Sequence, residues 1–150
     1  MAIRLQDEAL EPFRNFLVEY RAAYEAMDIN RISEFFSIDE AHCFGTGVDE
    51  VLTNRESLLY ALQRDFSELE SISLTPEGEL IALQVGDGVC LCTELTVRYV
   101  LKATPEQPAD MPRIRLTMLL ERQNNRWRAV QTHISAALNT QEPERSFPPA

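Results

Sequence analysis

Ala9, Phe13, Phe16, Leu17, Tyr20, Tyr24 and Met27 recur at three- and four-residue steps, which puts them on one stripe of an amphipathic helix. Glu19, Arg21 and Glu25 take its wet face. Pro12 has no N–H and is tolerated only in a first turn, so this helix is predicted to start near Glu11. The break at Asp28-Ile29-Asn30 supplies a cap for a short second helix, Arg31 to Phe36, and the two helices are expected to pack as a hairpin. A third helix opens on Thr53-Asn54-Arg55-Glu56, read as a capping box in which the Thr53 hydroxyl and the Glu56 carboxylate satisfy orphan backbone donors. Leu59, Leu62, Phe66 and Leu69 form its predicted buried stripe.

After Ser71 the spacing changes to alternation and β-branched runs. Strands are predicted over Ser71 to Thr75, Leu80 to Val85, Val89 to Leu101, Ile114 to Arg122 and Trp127 to Ala137. Pro76-Glu77-Gly78, Gly86-Asp87-Gly88 and Gln123-Asn124-Asn125 are short turn sequences, so neighbouring strands should join as antiparallel hairpins. Ala103 to Pro112 reads as a longer loop. Residues 1–140 form one domain, and the proline-bearing tail 141–150 is expected to be mobile. Helices followed by a run of hairpins imply an α+β fold. Strands this long exceed the usual five or six residues or so, and their sheet must twist and bend around the helix that covers it.

One ordered series of elements and two local segments carry a resemblance. Phe44-Gly45-Thr46-Gly47-Val48-Asp49-Glu50 follows the second helix, and Trp127-Arg128-Ala129-Val130-Gln131-Thr132-His133-Ile134-Ser135 closes the sheet. Over residues 7 to 137 the chain resembles the SnoaL-like branch of the nuclear transport factor 2-like superfamily. The closing segment is also similar to the association domain of calcium/calmodulin-dependent kinase. The resemblance implies a cystatin-like α+β cone, with helices packed on a strongly curved mixed or antiparallel sheet and a pocket between them. It also implies dimers, and it says little about chemistry, because this fold hosts many activities.

Strand parity suggests where the pocket groups should lie. Along Val89 to Leu101 the odd positions Val89, Leu91, Thr93, Leu95, Val97, Tyr99 and Leu101 face the core, and on the next strand Ile114, Leu116, Met118 and Leu120 do so. On the last strand the face bearing Trp127 also carries Ala129, Gln131, His133 and Ser135. Polar groups on a buried face need partners, and a solvated cavity supplies them. Gln131, His133 and Ser135 are therefore candidate ligand-binding residues, unless a bulge intervenes, with Tyr24, Phe44 and Tyr99 as an aromatic wall. His133 is the candidate catalytic acid or base, since a neutral imidazole exchanges a proton near physiological pH. The alternative places it in the core, bonded to a backbone carbonyl. His42 reads as a surface residue, and Asp49 and Glu50 read either as carboxylates at the cavity mouth or as a solvated turn.

Composition narrows the partners. At 150 residues, 45% hydrophobic and 25% charged, the chain can bury a core unaided. A net charge of −10 repels nucleic-acid backbones and anionic membranes, so no nucleic acid and no membrane is expected as partner. No stretch approaches the ~18 apolar residues of a membrane span. Cys43, Cys90 and Cys92 are odd in number and fit a reducing, cytoplasmic compartment as packing residues. No metal and no cofactor is assigned. Two functions remain: a small organic ligand held in the cone, with proton-transfer catalysis as a further possibility, or an oligomerisation domain. A homodimer through the convex sheet face is expected, carried by Thr96, Arg98, Val100, Arg115, Thr117, Leu119, Val130, Thr132 and Ile134.

Overall fold

The computed structural model describes residues 1–137 and residue 144. The tail expected to be mobile, 141–150, lies outside the described residues apart from Glu144. Among the described residues a short 3-10 helix (Asp7–Ala9) and three α-helices, α1 (Glu11–Glu25), α2 (Ile29–Ser33) and α3 (Arg55–Glu68), accompany seven strands: β1 (Ala2–Arg4), β2 (His42–Phe44), β3 (Val51–Leu52), β4 (Leu69–Val85), β5 (Gly88–Leu101), β6 (Ala109–Gln123) and β7 (Arg126–Ala136). The strands form one sheet in the order β1-β4-β5-β6-β7-β2-β3. Its pairs are antiparallel except β2 with β7, which run parallel, so the sheet is mixed. It does not close into a barrel, because β1 and β3 stand at its two ends. Among the described residues no helix is long and apolar enough to cross a membrane.

The first helix follows its periodicity. Phe13, Phe16, Leu17, Tyr20 and Ala23 are buried, and Pro12 lies in the first turn. Arg21 and Glu25, expected on the wet face, are half-buried instead. Arg21 Nε donates to the Leu74 carbonyl at 2.7 Å, and the Leu74 N–H donates to Glu25 Oε1 at 2.7 Å. These two side chains satisfy a stretch of β4 that β1 does not cover, which protects an open sheet edge.

Helix α2 is shorter than its pattern. Asp28 caps it by accepting from the Arg31 N–H, but it ends at Ser33. Phe35 and Phe36 are drawn to the sheet: the Ala129 N–H donates to the Phe35 carbonyl at 2.7 Å, and the Ser37 N–H donates to the Ala129 carbonyl at 2.9 Å. Tertiary pairing thus overrides local helical periodicity. The α3 cap lies one residue beyond the expected Thr53–Glu56 box: Asn54 accepts from the Ser57 N–H and the Ser57 hydroxyl faces back to the Asn54 N–H. The buried face shifts accordingly to Leu58, Ala61, Leu62 and Phe66, with Leu59 half-buried.

Two expected turns form as two-residue hairpin connections. Gly86 at φ +59 joins β4 to β5, and Asn124 and Asn125, at φ 50 and 61, join β6 to β7. Pro76-Glu77-Gly78 does not turn the chain. It lies within the 17-residue β4, where the register slips so that Gly78, Glu79 and Leu80 stand opposite Thr93. The slip absorbs the turn residues as a bulge, and Pro76 costs no ladder bond on the side of β4 that carries no strand. β6 begins at Ala109 rather than Ile114, with a second bulge at Pro112-Arg113 opposite Thr96. β1 was not foreseen: three exposed residues pair with Leu83–Val85 at the sheet edge.

The decisive irregularity is in β7. Leu120 pairs with Ala129, whereas Leu119 pairs with Gln131, so Val130 is an extra residue in the ladder. A bulge of one residue reverses which side chains face inward beyond it. Trp127 and Ala129 therefore face the core, Trp127 against Phe13 at a centroid distance of 5.1 Å. Beyond the bulge it is Thr132 and Ile134, paired with Met118 and Leu116, that turn inward. On β5 and β6 the parity holds: Val89, Leu91, Thr93, Leu95 and Val97, with Ile114, Leu116, Met118 and Leu120, are buried.

Candidate functional site

The concave face of the sheet and the helices enclose a cavity of about 380 Å³. Its walls are apolar for most of their area: Leu58, Ala61 and Leu62 from α3, Leu95 and Val97 from β5, Ile114 and Leu116 from β6. Tyr20 and Tyr24 enter from α1, one turn apart, with ring centroids 6.0 Å from each other. Tyr24 is set edge-on to Phe66 at 5.2 Å. Tyr99 comes from β5, Cys43 from β2, and the carboxylates of Glu50, Asp65 and Glu68 also line the space.

Two of the expected ligand-binding residues, Tyr24 and Tyr99, line this cavity, because helix stripe and strand parity both direct them inward. Phe44, Gln131, His133 and Ser135 do not. The Val130 bulge turns Gln131, His133 and Ser135 to the convex face, and Phe44, paired with His133, goes with them. His133 is exposed and lies edge-on to the Phe44 ring at 6.0 Å. The expected catalytic position is thus outside the cone, and neither a core histidine nor a cavity histidine results. His42 is exposed, as expected, with Nε2 3.0 Å from Glu40 Oε2.

The acids of the cavity were largely missed by the sequence reading. Glu50 was placed in a stretch read either as cavity mouth or as solvated turn, and it is half-buried at the mouth. The Gly45-Thr46-Gly47 loop curls around it: the Gly47 N–H donates to Glu50 Oε2 at 3.0 Å, and a Cβ on Gly45 would stand 1.9 Å from that oxygen. The glycine is needed for this close approach. Asp65 follows Leu58 and Ala61 at helical spacing, and a carboxylate interrupting an apolar stripe is the signal that points to it. Arg64 reaches Asp65 Oδ1 at 3.3 Å from the outside.

Burial shapes the chemistry of these groups. It pushes the Tyr20 and Tyr24 phenols well above their ordinary value, with neighbouring Asp65 and Glu50 adding to the effect at Tyr24. Both phenols therefore stay neutral and offer O–H donors at physiological pH. Burial pushes the Cys43 thiol up to about 11, which makes it a packing group rather than a nucleophile. Burial also raises the Asp65 carboxyl, against the lowering effect of Arg64. A carboxyl raised on folding binds its proton more tightly in the folded state, so ionising it costs stability as pH rises through the acid range.

The SnoaL-like domain profile matches residues 14–139, and the chain belongs to that family. Its fold is that of the nuclear transport factor 2-like superfamily. A superfamily protein from Salmonella enterica superposes at a TM-score of 0.79 with 12% identity, over 90% of this chain and 95% of that one. A protein from Novosphingobium aromaticivorans, provisionally named a scytalone dehydratase, superposes at 0.76 with 8% identity, over 93% and 91%. A provisionally named calcium/calmodulin-dependent protein kinase II association domain from Xanthomonas campestris superposes at 0.67 with 18% identity, over 93% and 91%. No curated protein sequence matches the chain. At these identities the likeness is one of fold.

Proposed function

We propose that this SnoaL-like domain binds a small organic molecule in the cavity between its helices and the concave sheet. The observation that carries the reading is the cavity itself: about 380 Å³, apolar for most of its lining, with neutral phenols and carboxylates converging on it. That size and composition suit a ligand of one or two rings, oriented by a few hydrogen-bonding tips. The three free thiols suit a reducing compartment such as the cytoplasm.

A thermal-shift titration with 2-naphthol tests the reading. The wild-type protein is expected to be stabilised, because a ligand that binds only the folded state raises its melting temperature. Ala61→Phe, which fills the cavity from α3, is expected to lose that shift, and His133→Ala on the convex face is expected to keep it. No shift in the wild type, or an equal shift in Ala61→Phe, overturns cavity binding.

A second reading concerns assembly and is compatible with the first. On the convex face the pairing aligns Leu83, Cys90, Leu119, Gln131 and His42 in one row, and Ile81, Cys92, Thr117, His133 and Phe44 in the next. Leu119 is 41% exposed and Phe44 49%. We propose that a second copy of the chain covers this face, since mixed apolar and polar rows of this kind are what interfaces present. Thr132 and Ile134, counted there from sequence, belong to the inner face instead. Light scattering at micromolar concentration should report twice the 17.1 kDa chain mass, and Leu119→Glu should shift the protein toward the single chain. A wild type that runs as a single chain overturns this assembly.

A further inference from the structure

The polar lining of the cavity is one-sided. Every ionisable group that lines it is an acid: the carboxyls of Glu50, Asp65 and Glu68, the phenols of Tyr20, Tyr24 and Tyr99, and the thiol of Cys43. Among the described residues no lysine, arginine or histidine lines it. Cations beside the lining residues are turned to other tasks, Lys102 among them, whose ammonium donates to the Ser67 carbonyl at 2.9 Å. Arg21 donates to the Leu74 carbonyl, and Arg64 stands on the outer rim, where it contacts Asp65 at 3.3 Å, Asp49 at 3.7 Å and Glu50 at 4.0 Å. Tyr20 is 3% exposed and lines the cavity, and nothing among the described residues hydrogen-bonds its hydroxyl. The phenol oxygen therefore opens onto the cavity, where it is free to meet an occupant.

We infer that the occupant of this cavity is a small cationic amphiphile: an aromatic or aliphatic body carrying a protonated amine. The inference rests on the binding function proposed above and specifies its ligand class. An ammonium group at the mouth would donate to the Asp65 and Glu50 carboxylates, and such charge-assisted bonds strengthen in a partly desolvated site. The faces of Tyr20 and Tyr24 would add a cation–π contribution, and the phenol oxygens can also accept from the ammonium. The body of the ligand would lie on Leu58, Leu62, Leu95 and Leu116. A ligand carboxylate, by contrast, would meet three carboxylates with no cation in the lining. Among the described residues no three His, Cys, Asp or Glu side chains converge as metal ligands do.

Calorimetric titration of the full chain with three matched probes, 2-naphthylmethylamine, 2-naphthylmethanol and 2-naphthoate, tests the ligand class. The amine is expected to bind about tenfold or more tightly than the alcohol, and 2-naphthoate to bind weakest. Asp65→Asn and, separately, Glu50→Gln should each bring the amine toward the affinity of the alcohol. Asp49→Asn, on the rim outside the cavity, should preserve the tenfold preference. Ala61→Phe should lose amine and alcohol together. Equal affinities for amine and alcohol, or tighter binding of 2-naphthoate, overturn the cationic ligand and leave cavity binding standing. Failure of all three probes to bind overturns both.

Discussion

Thr132→Lys is expected to abolish folding, while His133→Lys, one residue further along β7, leaves a folded domain. Thr132 is 2% exposed and pairs with Met118 on one side and Cys43 on the other, both buried. A lysine there would place an ammonium among apolar side chains without a carboxylate partner, and the cost of burying an unpaired charge reaches the scale of the whole stability of a domain, about 5–15 kcal/mol. His133 is exposed on the convex face, where a charge stays hydrated. Circular dichroism and expression in the soluble fraction read the difference. The opposite result, a folded Thr132→Lys and an unfolded His133→Lys, would restore the uninterrupted parity of β7 and remove the Val130 bulge from the account. The Thr132 hydroxyl has no hydrogen-bond partner among the described residues, so Thr132→Val should be neutral or stabilising by about 1 kcal/mol.

Phe36→Ala should cost about 3–5 kcal/mol, the usual loss for truncating a fully buried aromatic. Phe36 is 2% exposed, packs edge-on to Tyr20 at 6.3 Å and bridges to Ala129 of β7. Its carbonyl is held by two guanidinium groups, from Arg55 at 2.9 Å and from Arg128 at 3.3 Å. The same arginines bind the carbonyls of Ser33, Glu34 and Ser37. With the backbone anchored in this way the segment cannot collapse freely into the vacated space, which places the cost toward the upper part of that range. Urea denaturation would show a lower midpoint with an unchanged slope. A loss below about 1 kcal/mol would mean that the Phe36 site relaxes, and that this packing does not hold the segment to the sheet.

The candidate site was legible from sequence only in part. Tyr24 and Tyr99 were found because each sits in an unbroken pattern, one helical and one alternating, and such patterns report facing directly. Gln131, His133 and Ser135 were misplaced because their assignment ran parity from Trp127 across Val130. A bulge has no sequence marker at that valine, yet it inverts every position after it. Asp65 and Glu50 carry no such periodic mark. Their place in the cavity follows from how the α3 face and the Gly45–Gly47 loop meet the sheet, which are long-range contacts.

By itself the sequence determined the class of elements and most of their faces: the α1 stripe, the core sides of β5 and β6, and the Gly86 and Asn124-Asn125 hairpins. Each rests on interactions between residues near in the chain, or on a single repeat that burial enforces. Only the tertiary structure decided where α2 stops, since Phe35 and Phe36 find better partners in Ala129 and Tyr20 than another helical turn provides. It alone decided that Pro76–Gly78 lies inside a strand, because pairing with β5 on either side outweighs the local preference to turn. And it alone set the inside and outside of β7, where facing depends on the ladder with β6 and β2 rather than on the side chains of β7.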